Sequence, residues 1–157
     1  MFAPLTRILR NAKSVNPGLL ISLDPGAIWS ARLATDRMVE LAELGDLIFL
    51  NDGEARLWRA SALVRTFSGI VIEKAVDGAR AYRYLGGENI DVRLPPLADQ
   101  LIRDPVGAGD IFAGGVIAAL VGGHHELRKA MELGLQLARR KLIMGEPACF
   151  DDCAGVW

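Results

Sequence analysis

Residues 104–110 read Asp-Pro-Val-Gly-Ala-Gly-Asp and run directly into the apolar stretch Ile111–Leu120, which contains Gly114 and Gly115. Two glycines and an aspartate thus arrive at the start of a predicted helix. Glycine lets a backbone approach a ligand with no side chain in the way, and the first N–H groups of a helix have no partner inside it. Gly107, Ala108 and Gly109 therefore form a candidate anion hole, favoured by the helix dipole. Asp110 would repel an anion unless it has a task of its own. The task open to it is to accept the proton of an attacking hydroxyl while backbone N–H groups hold the charge of a transferred phosphoryl group. The plainer alternative is an ordinary turn, with Asp110 favouring a helix N-terminus. Two better-known phosphate loops do not occur: there is no Gly-x4-Gly-Lys-Ser/Thr, and Phe112 takes the third glycine's place in Gly-x-Gly-x-x-Gly.

A second pair of residues has chemistry to offer. Asn51 and Glu54 follow the apolar run Asp46–Leu50, just past the end of a predicted buried strand. Open α/β sheets bind ligands at that edge. Three apart at a helix start, the two side chains share a face. A Glu there can hold Mg²⁺ through water, and an Asn can orient phosphate or metal-bound water. The same spacing also suits an N-cap with its reciprocal partner, and both readings stay open at this point. Asp24 likewise follows an apolar run, Leu19–Leu23, so two strand-end loops and the glycine loop are candidates for one crevice.

The elements that must position these residues alternate. Leu5, Ile8, Leu9 and Ala12 have helical spacing and predict a short amphipathic helix over 5–13, ended by Asn16-Pro17-Gly18. A strand over 19–23, a helix over 29–44 stopped at Gly45, a strand over 46–50 that runs into Asn51-Asp52-Gly53-Glu54 and then a helix through about Trp58, and a strand over 68–74 follow. This alternation implies a parallel sheet with right-handed crossovers. Asp77-Gly78 then reads as a tight turn into a strand over 79–85, Gly86-Gly87 as another turn, and Ile90, Val92 and Leu94 as a half-exposed strand. Two helices close the pattern, about 108–121 and 126–144. The first is apolar nearly all round and is expected to be buried, with Gly114 and Gly115 packing closely on the sheet. The second places Leu127, Ala130, Met131, Gly134, Ala138 and Leu142 on one stripe.

Composition bounds the rest. The chain has 157 residues, a net charge of −1 and 51% hydrophobic residues, which suits one soluble domain, residues 1–157, with a sizeable core. Charge so near zero argues against nucleic acid or a membrane surface as partner. No apolar run is long enough to cross a bilayer, and Met1–Arg7 has no signal-peptide core. Arg139-Arg140-Lys141 reads as a solvated face near a helix C-terminus. Cys149 and Cys153 are weak grounds for a metal site or a disulfide and are expected as reduced thiols in a cytoplasmic protein. His124 and His125, before Glu126, lack metalloprotease spacing and read as a polar loop.

Taken together, Asn51-x-x-Glu54, Asp104-x-x-Gly107-Ala108-Gly109-Asp110 and the Phe112-Ala113-Gly114-Gly115 helix resemble the PfkB carbohydrate kinases of the ribokinase-like superfamily. Ile21–Pro25 is similar to the family's strand before its crossover helix, and Ile70–Ile72 leading to Asp77-Gly78-Ala79 to its later strand and hairpin. The resemblance runs in order from about residue 5 to 145. It implies a three-layer α/β/α fold, with a mostly parallel sheet and an antiparallel hairpin excursion. It implies ATP-dependent phosphoryl transfer to a hydroxyl of a sugar or nucleoside. Asp110 would be the base, Gly107–Asp110 the anion hole, and Asn51 with Glu54 the pair that organises Mg²⁺ and the phosphates. Arg103 and Lys74 are candidates, by position, for a cation facing the phosphates.

The departures from the family are specific. Its members are about twice this length, and their N-terminal half carries the sugar-binding region and a β-lid. The chain is thus expected to be an N-terminally truncated, nucleotide-binding half that leaves a sheet edge unpaired or an apolar face uncovered. It would then work with a complementing half or as a homodimer. Val106 stands where Thr or Ser is frequent, Gly26 where Asn is frequent, and Ala75 where Gly is frequent. The alternative function is a non-catalytic nucleotide- or anion-binding module of the same descent.

Overall fold

The computed structural model describes residues 2–26, 41–60, 67–83, 87, 89–95, 97–123 and 126–145. They fall into two compact units, Met1–Ala75 with Arg80–Ile90, and Val76–Ala79 with Asp91–Trp157. The strands are β1 (Ser22–Leu23), β2 (Leu47–Asn51), β3 (Ile70–Ala75), β4 (Gly78–Tyr82) and β5 (Ile90–Arg93), ordered β1-β2-β3-β4-β5 in one sheet.

In the first unit, α1 (Phe2–Val15) extends the predicted helix at both ends. It stops where Asn16 Oδ1 accepts the Gly18 N–H, an Asx turn that competes with helix continuation. β1 has only two of the five residues predicted for it. The reason lies in Asp46: its Oδ2 takes the Ile21 N–H at 2.8 Å and its Oδ1 holds Lys13 of α1 at 2.8 Å. The Ile21 carbonyl still accepts the Asp46 and Leu47 N–H groups, so it is the Ile21 N–H that leaves the ladder for a side chain. From there β1, β2 and β3 pair in parallel, with Leu23 opposite Ile48, Ile48 opposite Val71, and Asn51 opposite Lys74. Leu47, Ile48, Phe49 and Leu50 are all buried, as a continuous apolar run on a doubly covered strand requires.

Only 41–44 of the helix predicted over 29–44 lie among the described residues. They are helical, and the Gly45 N–H closes the last turn on the Leu41 and Ala42 carbonyls. Ala42, Ile48, Leu50, Ala55, Trp58, Phe67 and Val71 form the core of this unit. Within it Trp58 and Phe67 meet edge to face at 5.9 Å, a geometry worth about 0.5–1.5 kcal/mol beyond burial. Glu73 is buried in the same unit and accepts hydrogen bonds from Arg59 and from the Tyr82 hydroxyl. A buried carboxylate persists only with such partners. Burial, and then the bond to Glu73, push the Tyr82 phenol well above its ordinary range.

The hairpin differs by one residue from expectation. Val76 and Asp77 form the turn, and Gly78 already belongs to β4. A two-residue connection reverses the chain, so β4 runs antiparallel to β3. β4 ends at Tyr82; residues 84–85 of the predicted strand and Gly86 of the predicted turn lie outside the described residues. In β5, Val92 is buried between exposed Asp91 and Arg93, the alternation read from the sequence.

In the second unit, α3 (Ala108–Val121) and α4 (Leu127–Met144) pack on one another. Gly115 is the contact: a Cβ there would stand 2.9 Å from both Gly134 Cα and Leu137 Cδ1. The expectation that both glycines serve the sheet is corrected on this point. Gly115 faces α4, and a Cβ on Gly114 would meet nothing within 4 Å. α3 is also less buried than expected. Phe112, Ala113, Gly115, Val116 and Ala119 are covered, while Asp110 and Val121 are exposed, because α4 packs on one side of it.

Ala130, Met131, Gly134 and Ala138 of α4 are buried as predicted, joined by Leu137 and Lys141. Lys141 is 6% exposed, so the solvated basic face is corrected there. Arg139 is bound to the Pro95 carbonyl and Arg140 Nε to Met144 Sδ. The histidines and cysteines singled out in the sequence lie outside the described residues. No described helix is long and apolar enough to cross a membrane.

Candidate active site

The glycine loop lies wholly in the second unit. Asp104 Oδ1 accepts the Val106 N–H at 2.9 Å, and the chain turns through Gly107, whose φ of 78° puts it in the left-handed region that glycine occupies without strain. No neighbour lies within 4 Å of where a Gly107 Cβ would be, so conformation and not crowding calls for glycine here. α3 begins at Ala108, and its first intrahelical bond runs from the Ile111 N–H to the Gly107 carbonyl at 2.9 Å. The Gly109 and Asp110 N–H groups precede that bond and have no helical acceptor. The Asp110 side chain is exposed in the first turn. Gly107, Ala108, Gly109 and Asp110 are thus brought together as one helix-start cradle.

Beneath this cradle is a residue that the sequence reading placed in solvent. Lys141 Nζ lies 2.5 Å from Asp104 Oδ2, 3.5 Å from the Asp104 carbonyl and 3.3 Å from the Gly145 carbonyl. The Lys141 hydrogen bond, then the Val106 N–H, hold the Asp104 carboxyl below its ordinary range. The signal was present in the spacing: position 141 follows Ala138 by three and Gly134 by seven, on the apolar stripe itself. Val106 projects its side chain into solvent, 76% exposed. Arg103 is exposed and gives its backbone N–H to the Leu142 carbonyl.

In the first unit, α2 (Asp52–Ala60) starts directly at the end of β2. Asn51 Oδ1 accepts the Glu54 N–H and Glu54 Oε2 accepts the Asn51 N–H, each at 2.9 Å. This is a reciprocal capping box. It uses one atom of each side chain; Asn51 Nδ2 and Glu54 Oε1 take no part in it. Glu54 is 3% exposed, and no buried side-chain polar atom among the described residues lacks a partner. Asp24, past the end of β1, receives Lys74 Nζ at 2.6 Å. Asn51, Asp24 and Lys74 therefore stand at the C-terminal ends of three neighbouring parallel strands. A pocket of ≈ 170 Å³ beside β1 is lined by Asp24, Ser22 and apolar Leu5, Leu23, Leu41, Pro25 and Ile48. β1 and β5 are the two outer strands of the sheet among the described residues.

The chain and its fold have parallels among known proteins. The pfkB family carbohydrate kinase model matches residues 5–142, so the chain belongs to the pfkB family of carbohydrate kinases. Solved structures of the same fold include the adenosine kinase of Schistosoma mansoni in complex with 2-fluoroadenosine, at 16% identity and a TM-score of 0.76 over 94% of this chain and 48% of that one. The nucleoside kinase of Methanocaldococcus jannaschii is similar at 23% identity and a TM-score of 0.67, over 85% and 45% of the two chains. A ribokinase from Thermoplasma acidophilum, described as putative, has 21% identity and a TM-score of 0.66, over 94% and 50%. The chain thus spans about half the length of the structures it matches. No curated protein matches its sequence.

Proposed function

We propose that the chain is the nucleotide-binding and catalytic half of an ATP-dependent kinase whose acceptor is a hydroxyl of a sugar or nucleoside. The observation that carries this reading is the start of α3. There a left-handed glycine turn presents unpaired N–H groups beside one exposed carboxylate. The donors suit the charge on a transferred phosphoryl group, and Asp110 suits the proton released by the acceptor. Phosphoryl transfer asks for placement and charge neutralisation more than for covalent participation by the protein.

Asn51 and Glu54 are assigned to magnesium and phosphate. Among the described residues no three His, Cys, Asp or Glu side chains gather as a metal cage. The donor set fits an ion carried in on nucleotide phosphates, with Glu54 Oε1 accepting from its bound water and Asn51 Nδ2 donating to a phosphate oxygen. Mg²⁺ bound there would neutralise phosphate charge. Lys74, held by Asp24, is the cation nearest in register to Asn51.

Calorimetric titration of MgATP into the chain tests the reading. Binding is expected, with Gly109→Val abolishing it by blocking the backbone approach. Asp110→Asn is expected to keep binding but lower phosphoryl transfer by about 10²–10⁴-fold, measured with the sugar-binding half supplied as a partner chain. Full turnover by Asp110→Asn refutes the base. The departures from the family pattern at Val106, Gly26 and Ala75 favour a second reading, a non-catalytic module that binds a nucleotide or an anion. Binding without turnover, with the complementing half present, selects it.

A further inference from the structure

We propose that Lys141 is a positioning residue of the anion loop: its buried ammonium locks Asp104, and Asp104 in turn sets the backbone turn that aims the N–H groups at the start of α3. The inference rests on the reading of that loop as a phosphate site, and names the residue that holds it in shape. Lys141 has no solvent to turn to. It is 6% exposed, yet its Nζ has three oxygens within reach: Asp104 Oδ2, the Asp104 carbonyl and the Gly145 carbonyl. All three belong to the two chain segments that flank the loop and end α4.

Asp104 completes the chain of contacts. One carboxylate oxygen is taken by Lys141 and the other by the Val106 N–H at 2.9 Å. Because both oxygens are used, the carboxylate plane is fixed, and Val106 is fixed with it. Gly107 follows at once with its left-handed φ, and α3 starts one residue later. An ion pair exposed at both ends would contribute little order here. This one is buried at the lysine end, 7% against 41% at Asp104, and the ammonium is held by protein oxygens. The arrangement also ties the end of α4 to the loop, since the Arg103 N–H bonds the Leu142 carbonyl at 2.8 Å alongside it.

A lysine that merely ends a helix would show a different response to removal than one that positions the loop. Lys141→Met keeps the apolar stem and removes the charge. Lys141→Ala leaves room for n-propylammonium, which replaces the three missing methylenes and the ammonium. Two readouts are taken. The first is calorimetric MgATP affinity; the second is the exchange rate of the Val106 amide proton in the free chain, which needs no nucleotide.

Both variants are expected to bind MgATP about 10–100-fold more weakly, the scale set by a small misplacement of binding groups. Val106 exchange should rise by about tenfold, as for a hydrogen bond lost from an exposed turn. n-Propylammonium should return Lys141→Ala towards the parent in both readouts, while tetramethylammonium, which donates no hydrogen bond, should not. Asp104→Asn should match the loss and ignore the amine. Parent-like Val106 exchange in both lysine variants overturns the proposal. So does a loss that n-propylammonium fails to reverse. If the parent chain itself binds no MgATP, the kinase reading falls, and the amide measurement still decides whether Lys141 sets the loop.

Discussion

Gly114 and Gly115 are adjacent in α3, yet alanine should act on them in opposite directions. In a helix interior glycine is less favourable than alanine by about 0.8–1.0 kcal/mol, so both replacements gain the same propensity term. At Gly114 nothing stands within 4 Å of the new Cβ, and Gly114→Ala should stabilise the chain by about 1 kcal/mol. At Gly115 the new Cβ falls 2.9 Å from Gly134 Cα, a backbone atom, and 2.9 Å from Leu137 Cδ1. Leu137 can rotate, but α4 as a whole must retreat from the backbone clash, an overpacking cost of about 1–3 kcal/mol. Gly115→Ala should thus be neutral to destabilising by about 2 kcal/mol. The propensity terms cancel in the difference between the two variants, which isolates the packing cost. In a chain of this size that difference corresponds to about 2–12 °C in the unfolding midpoint. Circular dichroism on both variants, with urea midpoints as a second measure, reads it directly. If Gly115→Ala melts at or above Gly114→Ala, the close α3–α4 crossing at Gly115 is wrong.

Two further outcomes follow from the first unit. Asn51→Ala should cost about 0.5–2 kcal/mol through the lost cap, whereas Glu54→Gln, which can still accept the Asn51 N–H, should unfold close to the parent but lose the magnesium dependence of ATP binding. Equal magnesium dependence in Glu54→Gln and the parent would confine Glu54 to capping. Tyr82 should contribute to the alkaline limb of stability. Its phenol is raised by burial and by Glu73, so the folded state keeps a proton that the unfolded chain releases. The stabilisation is complete below the ordinary tyrosine range, about pH 10, and is lost as pH rises beyond it. Tyr82→Phe should flatten that decline in urea titrations, and an unchanged slope would mean that Tyr82 does not contribute to it.

Much of the architecture was legible because it depends on local signals. Leu47–Leu50 is apolar without a break, and a strand covered on both faces has to be. Gly107-Ala108-Gly109 announces a helix start through a positive φ. The losses occurred where a distant partner decides. β1 is short because Asp46, more than twenty residues on, takes the Ile21 N–H. The hairpin slipped by one residue because Gly78 serves as the first residue of β4 instead of the second turn position. Gly115 faces a glycine on another helix, which no window around it can reveal. Lys141 is the instructive case. Its charge argued for solvent and its register argued for the core, and register prevailed because Asp104 and two carbonyls were there to receive the ammonium.

Asn51 and Glu54 pose the sharper question, since the capping box accounts for their spacing without any ligand. Capping and catalysis do not compete for the same atoms here. The box consumes Asn51 Oδ1 and Glu54 Oε2 and, in doing so, removes most of the rotamer freedom of both side chains. What remains is one amide nitrogen and one carboxylate oxygen, held at the C-terminal end of a central strand, next in register to Lys74. A carboxylate free to rotate would give up entropy on meeting a hydrated ion, whereas one already held by the Asn51 N–H gives up less. Under the proposed function the structural role would prepare the chemical one. For this reason Glu54→Gln, which spares the cap while removing the charge, is the substitution that separates them, and Glu54→Ala, which destroys both, is not.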